Sequence, residues 1–113
     1  MKIRKELKRF VDAMETVLAA NDHKDGWEDM DLFELLICLR EETRELRLNL
    51  TKFDKAYMKC FITPYPQQPK DYDQKVIPLA KAVQKEAIDV ANFAMMIWDN
   101  LRREQILGMK LSK

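Results

Sequence analysis

The chain contains few of the residues that interrupt helices and few of those that build disulfide frameworks. Among its 113 residues there are two glycines, four prolines, two cysteines and one histidine. Residues 1–113 suffice for one domain with one hydrophobic core. The scarcity of glycine and proline, beside many Leu, Ala, Met, Glu, Lys and Arg residues, predicts an all-α helical bundle. Two cysteines without metal-type spacing indicate a reducing compartment and no disulfide scaffold.

Long apolar runs and a strong net charge are also missing. No stretch reaches the ~20 apolar residues that a membrane-spanning helix needs, and charges recur where a signal peptide would be apolar. The formal net charge is +1, so no overall field attracts nucleic acid or a membrane. We therefore expect a cytoplasmic protein that binds neither. The N-terminal basic residues are interpreted as a solvated helix face: Lys2, Arg4, Lys5, Lys8 and Arg9.

Apolar residues at three- and four-residue steps predict a first amphipathic helix over about residues 2–20. It ends at a cluster of turn-forming residues, 21–26. A second helix begins near Asp29 or Asp31, either of which can cap it. Glu34 follows Asp31 at the spacing of a capping box. No strand pattern and no internal repeat stand out, so we expect three to five helices.

The second half of the chain predicts a proline-rich connection before a long last helix. The second helix runs to about Leu50, and residues 51–61 continue as a further helix. Residues 62–73 hold three of the four prolines and are expected to form a loop or extended linker. Pro78 suits the first turn of a last helix over about residues 76–106.

The predicted last helix is apolar on more than one face, which a bundle of three or four helices cannot fully cover. This favours a homodimer or homotetramer. Met95, Met96 and Trp98 are accordingly interpreted as core or interface residues. The apolar residues are Val90, Ala91, Phe93, Met95, Ile97 and Trp98.

Two acidic clusters carry the strongest indication of chemistry. Glu41, Glu42 and Glu45 fall three and four residues apart on the second helix, so they are neighbours on its surface. Glu86 and Asp89 repeat the three-residue spacing on the last helix, and Asp89 lies inside an apolar run. A carboxylate on an apolar face is costly unless a positive charge meets it. That charge is either a metal ion or a basic side chain.

Both interpretations have support in the sequence. Arg44 and Lys85 lie beside the clusters and would form surface salt bridges, whereas the apolar neighbours Leu39 and Leu46 favour a metal site. Ligands that are all oxygen select Mg²⁺ or Mn²⁺ over Zn²⁺. A di-iron carboxylate bundle would use Glu-x-x-His motifs, but the only histidine, His23, falls in a turn.

The pattern Glu-Glu-x-x-Glu followed by Glu-x-x-Asp resembles the MazG-like nucleoside triphosphate pyrophosphohydrolases of the all-α NTP pyrophosphatase superfamily. The His-Lys-Asp-Gly-Trp sequence at 23–27 and the apolar sequence at 89–97 also look like stretches of small members. The resemblance covers about residues 23–100. The chain departs from the family in the long separation of its two motifs and in Asp25, which stands where a glycine is common.

The resemblance implies a Mg²⁺-dependent enzyme that hydrolyses the α–β phosphoanhydride of a nucleoside triphosphate, giving a monophosphate and pyrophosphate. Its role would be nucleotide-pool control or house-cleaning. Carried over, the metal ligands are Glu42, Glu45, Glu86 and Asp89, and Mn²⁺ is the alternative ion. Either Glu41 or Glu45 would act as general base.

Four further residues are candidates for binding substrate. Asn92 would contact sugar or phosphate or else satisfy a helix interface, and Lys24 would pair with phosphate or be a turn lysine. Trp27 would stack on a base or pack against the start of the second helix. Lys85 would reach a phosphate or remain solvated. The rival interpretation of the whole chain is a non-catalytic helical module that mediates interactions or senses nucleotide.

Overall fold

The computed structural model describes residues 2–21, 27, 30–62 and 72–103. These residues form an all-α structure without a strand, as the composition predicts. None of the helices in these ranges is long and apolar enough to cross a membrane. The elements in chain order are helix α1 at Lys5–Ala20, helix α2 at Leu32–Ile62, a π-helical turn at Tyr72–Val76 and helix α3 at Ile77–Arg103.

Helices α2 and α3 form a long antiparallel pair. At one end the side-chain amide of Asn100 donates a hydrogen bond to the carbonyl oxygen of Met30, at 3.2 Å. Farther along, Glu42 of α2 meets Glu86 and Asp89 of α3. Because the contact positions rise along one helix as they fall along the other, the two helices run in opposite directions. The acidic residues therefore lie well inside the helix pair, away from its ends.

Helix α1 packs against α3. The side-chain amide of Asn92, on α3, donates to the carbonyl oxygen of Met14 at 3.4 Å. The large apolar side chains in the second half of α1, Met14, Val17 and Leu18, are half-buried, whereas Leu7 and Phe10 in the first half are exposed. The amphipathic pattern predicted for α1 is present, but only its second half finds a covering surface within the described chain.

The face of α2 that packs on α3 repeats at three- and four-residue steps. Leu35 and Val76 are the fully buried apolar side chains of the described residues, with exposed fractions of 0% and 1%. Glu42 occupies a middle position on this otherwise largely apolar face. The members of the face are Leu35, Leu39, Glu42, Leu46, Asn49, Phe53 and Ala56.

The start of the second helix is confirmed. The backbone N–H of Phe33 donates to the Asp31 side chain at 3.3 Å, so Asp31 caps α2 as its position predicts. Residues 51–61 do not form a separate helix but continue α2 without a break.

The predicted limits of the proline-rich loop are wrong at both ends. Ile62 still belongs to α2, and Tyr72 already begins the π-helical turn. The three prolines themselves, Pro64, Pro66 and Pro69, lie within residues 63–71, which are outside the described residues. Pro78 is in the first turn of α3, as predicted.

Candidate metal centre

Three carboxylates from two helices converge at the middle of the α2–α3 pair. Glu42, Glu86 and Asp89 each offer one oxygen, and these oxygens all lie within 4.8 Å of one another. The side chains of Glu86 and Asp89 are 12% and 20% exposed. No other such group of metal-ligating side chains exists within the described residues.

Helical geometry explains why these acids meet. Glu86 and Asp89 are three residues apart, so their side chains emerge from neighbouring positions on one face of α3. Glu42 lies on the face of α2 that packs against that same side of α3. Antiparallel packing then brings the single acid of one helix opposite the pair of the other.

Burial and neighbouring negative charge raise the pKa values of two of the acids, Glu42 and Asp89. Burial raises the pKa of Glu42 from its ordinary 4.5 to about 7, assisted by hydrogen bonding with Glu86 and by repulsion from Glu86 and Asp89. Burial also raises the pKa of Asp89, with a further contribution from Glu86, while Lys85 acts in the opposite direction. A site that holds like charges together in this way stabilises either bound protons or a cation.

Lys85 is a basic side chain in contact with two members of the group. Its Nζ lies 3.7 Å from Oδ2 of Asp89 and 3.9 Å from Oε1 of Glu86. The i,i+4 spacing of Lys85 and Asp89 produces this ion pair, as the sequence predicts for a salt bridge. The Lys85 side chain is 73% exposed, so it reaches the acids from the solvent side.

The donor set fits a hard divalent cation. All three ligands are carboxylate oxygens, which Mg²⁺ and Mn²⁺ prefer. Oε2 of Glu86 is buried and has no hydrogen-bond partner among the described residues. A buried carboxylate oxygen without a donor is unfavourable, and an ion bound at this point would supply the missing positive charge.

The other two acids predicted for the site are not part of the group. Glu41 and Glu45 are both exposed on α2, and the group of three carboxylates does not include either of them. Glu45 is one helical turn after Glu42. The role of Glu45 as a metal ligand, and that of Glu41 or Glu45 as general base, stay predictions.

The predicted substrate-binding residues have different surroundings. Asn92 is buried, with 3% exposed, and its amide joins α3 to α1, which matches the helix-interface alternative. Lys85 forms ion pairs with Glu86 and Asp89 of the acidic group. Trp27 is half-buried and donates its indole N–H to Oδ2 of Asp99 at 3.1 Å. Lys24 lies outside the described residues.

Asp99 is a connecting residue that sequence reasoning missed. It accepts the hydrogen bond of Trp27 and pairs with Arg102 and Arg103 at 3.1 and 3.3 Å. The hydrogen bonds from Trp27 and Arg102, with the two guanidinium charges, lower its pKa. The spacing of Asp99 to the two arginines, i,i+3 and i,i+4, is a sequence signal for ion pairs on a helix. The bond to Trp27, 72 residues away, had no sequence signal.

Comparison with known proteins gives no match, whether to a family model, a curated protein or a solved structure. The resemblance to the MazG-like enzymes therefore stays a prediction drawn from the residues and their spacing. The geometry of Glu42, Glu86 and Asp89 is an independent observation on the same side chains.

Proposed function

We propose that this protein is a Mg²⁺-dependent nucleoside triphosphate pyrophosphohydrolase that acts on nucleotides of the cytoplasmic pool. The observation that carries the proposal is the convergence of Glu42, Glu86 and Asp89, whose oxygens lie within 4.8 Å of one another. These are three of the four metal ligands that the family resemblance implies. Their meeting across two helices did not follow from either motif alone.

The proposed roles of the acidic residues follow from the positions of their side chains. Glu42, Glu86 and Asp89 would hold the cation, which neutralises triphosphate charge and stabilises charge on the leaving group. Glu41 and Glu45 are exposed on the same helix as Glu42, so their carboxylates are accessible to water. One of them would take the proton of the attacking water. The products would be a nucleoside monophosphate and pyrophosphate.

We further infer that the working unit is a homodimer or homotetramer. Large apolar side chains remain exposed on all three helices, among them Leu7, Leu48 and Trp98. A second copy of the chain would cover them.

The exposed apolar surface also favours a second candidate, a non-catalytic helical interaction module. In that case the acids would pair with basic residues of the partner and would need no metal. The two candidates differ in their response to ligand. An enzyme site gains stability from Mg²⁺ together with a nonhydrolysable nucleotide, whereas an interaction module does not.

The decisive experiment measures pyrophosphate release from each common ribo- and deoxynucleoside triphosphate with Mg²⁺, and again with Mn²⁺. The expected result is pyrophosphate and the matching monophosphate in equal amounts. Glu86→Gln should abolish release, while Glu34→Gln should not, because Glu34 is an exposed acid of α2 outside the group. Orthophosphate with a diphosphate would show that a different bond is cut. No product with any nucleotide would favour the interaction module.

A further inference from the structure

The ammonium group of Lys85 lies against the same carboxylates that the proposed cation would use. Its distances of 3.7 Å to Asp89 and 3.9 Å to Glu86 are ion-pair distances, longer than the ~2.8 Å of a short charge-assisted hydrogen bond. The contact therefore neutralises charge without fixing the side chain in one geometry. In the chain without metal, Lys85 is the counter-ion of the acidic group.

The position of Lys85 allows it to leave. Its side chain is 73% exposed, and a lysine has four rotatable carbons through which the ammonium can swing into water. The ion pairs that it forms in the described part of the chain are with these two acids. Moving the ammonium away therefore breaks no other ion pair of the described chain and leaves the α2–α3 packing intact.

We propose that Lys85 exchanges with the divalent cation: it neutralises Glu86 and Asp89 in the metal-free protein, leaves when the cation binds, and then binds a phosphate of the nucleotide. This proposal rests on the metal site of the proposed function and adds its regulation. It assigns Lys85 two opposite effects. The lysine weakens binding of the metal alone and strengthens binding of the metal–nucleotide complex.

Electrostatics explains both the weaker binding of the metal alone and the stronger binding of the metal–nucleotide complex. An ammonium within 4 Å of one oxygen of each of two ligand carboxylates repels a cation at those carboxylates, so the metal binds only after the ammonium has moved. The displaced ammonium stays on the turn of α3 that carries Glu86, close to any phosphate that the metal binds. A triphosphate then supplies the negative charge that Lys85 has lost. Binding of metal and binding of nucleotide are thereby coupled.

The test uses the intact protein and two binding measurements that do not depend on turnover. In the first, Mn²⁺ alone is titrated and the free ion is followed by electron paramagnetic resonance. Lys85→Met should bind Mn²⁺ about fivefold more tightly than the natural chain, the amount that an ion pair of up to ~1 kcal/mol would give. In the second, a nonhydrolysable triphosphate is titrated at saturating Mn²⁺. The same variant should now bind about fivefold more weakly.

Two control variants separate this exchange from a general effect of charge. Lys81→Met removes an exposed lysine one turn earlier on α3 that forms no ion pair within the described residues. It should change neither affinity. Lys85→Arg keeps the charge and should stay close to the natural chain in both titrations.

Each other outcome overturns the exchange in a distinguishable way. Mn²⁺ binding that is unchanged or weaker in Lys85→Met would refute it while leaving the metal site in place, and weaker binding would mean that Lys85 positions the ligands. Equal tightening in Lys81→Met would reduce the effect to net charge. Unchanged nucleotide affinity would remove the phosphate contact. Absence of Mn²⁺ binding in every variant would overturn the metal site and the exchange together.

Discussion

Glu42 on α2 and Asp89 on α3 bring carboxylate oxygens to within 4.8 Å of each other, and an oxygen of Glu86 lies within the same distance of both. Two acids from separate helices at this distance repel each other unless a proton or a cation lies between them. The helix packing therefore holds them together at an energetic cost when no metal is bound. A cost of this kind at a group of potential ligands is typical of a functional site.

Removing one charge of the group should separate activity from stability. Glu42→Gln and Asp89→Asn should each abolish pyrophosphate release, since each removes a ligand of the proposed cation. Without metal, Glu42→Gln should be more stable than the natural chain by about 1 kcal/mol, because a like charge has been removed from a partly buried site. Circular dichroism should show unchanged helix content. Full turnover in both variants would exclude these residues from the site.

The stability of the metal-free protein should fall as pH rises from about 4.5 to 7. The pKa of Glu42 is raised to about 7 in the folded chain, so over this window the folded state binds more protons than the unfolded state, and raising the pH favours unfolding. Part of the shift is screened by solvent, so the change from Glu42 should be about 1–2 kcal/mol.

Urea unfolding at pH 5, 6, 7 and 8, at one protein concentration and with a chelator, measures this change. The difference between the natural chain and Glu42→Gln isolates the contribution of the single carboxyl. That difference should grow in favour of the variant toward pH 8. A difference that stays constant across the range would mean that Glu42 is ionised throughout.

Mg²⁺ and a nonhydrolysable triphosphate should stabilise the protein more when added together than either does when added alone. At 100 times the dissociation constant, ligand binding to the folded state contributes about 2.7 kcal/mol, which raises the melting temperature by several degrees. Thermal scans of the natural chain and of Glu86→Gln provide the measurement. The variant should lose the rise because its ligand set is incomplete. A rise from nucleotide alone, retained in the variant, would point to a binding site elsewhere.

The hydrogen bond between Trp27 and Asp99 should contribute to holding the chain that precedes α2 against the end of α3. Asp99→Ala removes both the acceptor of this bond and the charge that pairs with two arginines, so it should cost about 1 kcal/mol of unfolding free energy. Asp12→Ala is the matched control, because its i,i+4 pair with Lys8 is exposed and should contribute little. Equal losses in the two variants would show that the Trp27 contact adds nothing.

Trp98 should report directly on assembly. It is 66% exposed in the single chain, and the chain has two tryptophans, so Trp27→Phe leaves Trp98 as the only fluorophore of this kind. If a second copy covers it, emission at high protein concentration should lie at short wavelength and shift to longer wavelength on dilution. Light scattering at the same concentrations gives the mass. Long-wavelength emission at every concentration would place Trp98 outside the subunit interface.

The helical content, the cap at Asp31 and the three-residue spacing of Glu86 and Asp89 were all predictable, because each depends on local sequence. The meeting of Glu42 with that pair was only a hypothesis, since it depends on how two distant helices align. The Trp27–Asp99 bond and the burial of Asn100, 4% exposed, could not be predicted, because only tertiary packing determines them. Some residues that belong to the apolar pattern of the sequence, such as Leu50, are not buried in the core of the single chain. Leu50 is 46% exposed.

The placement of Glu42 on the packed face of α2 also limits how this chain can change length. Each residue inserted into a helix rotates everything beyond it by about 100°. A single insertion between Leu35 and Glu42 would leave Leu35 in the core and turn the carboxylate away from α3. A seven-residue insertion would restore the direction but move the acid about 10 Å along the helix, past Glu86 and Asp89. Between Leu35 and Glu42, therefore, we expect insertions or deletions to destroy the site, whereas substitutions at exposed positions such as Ile37 and Arg40 should be tolerated.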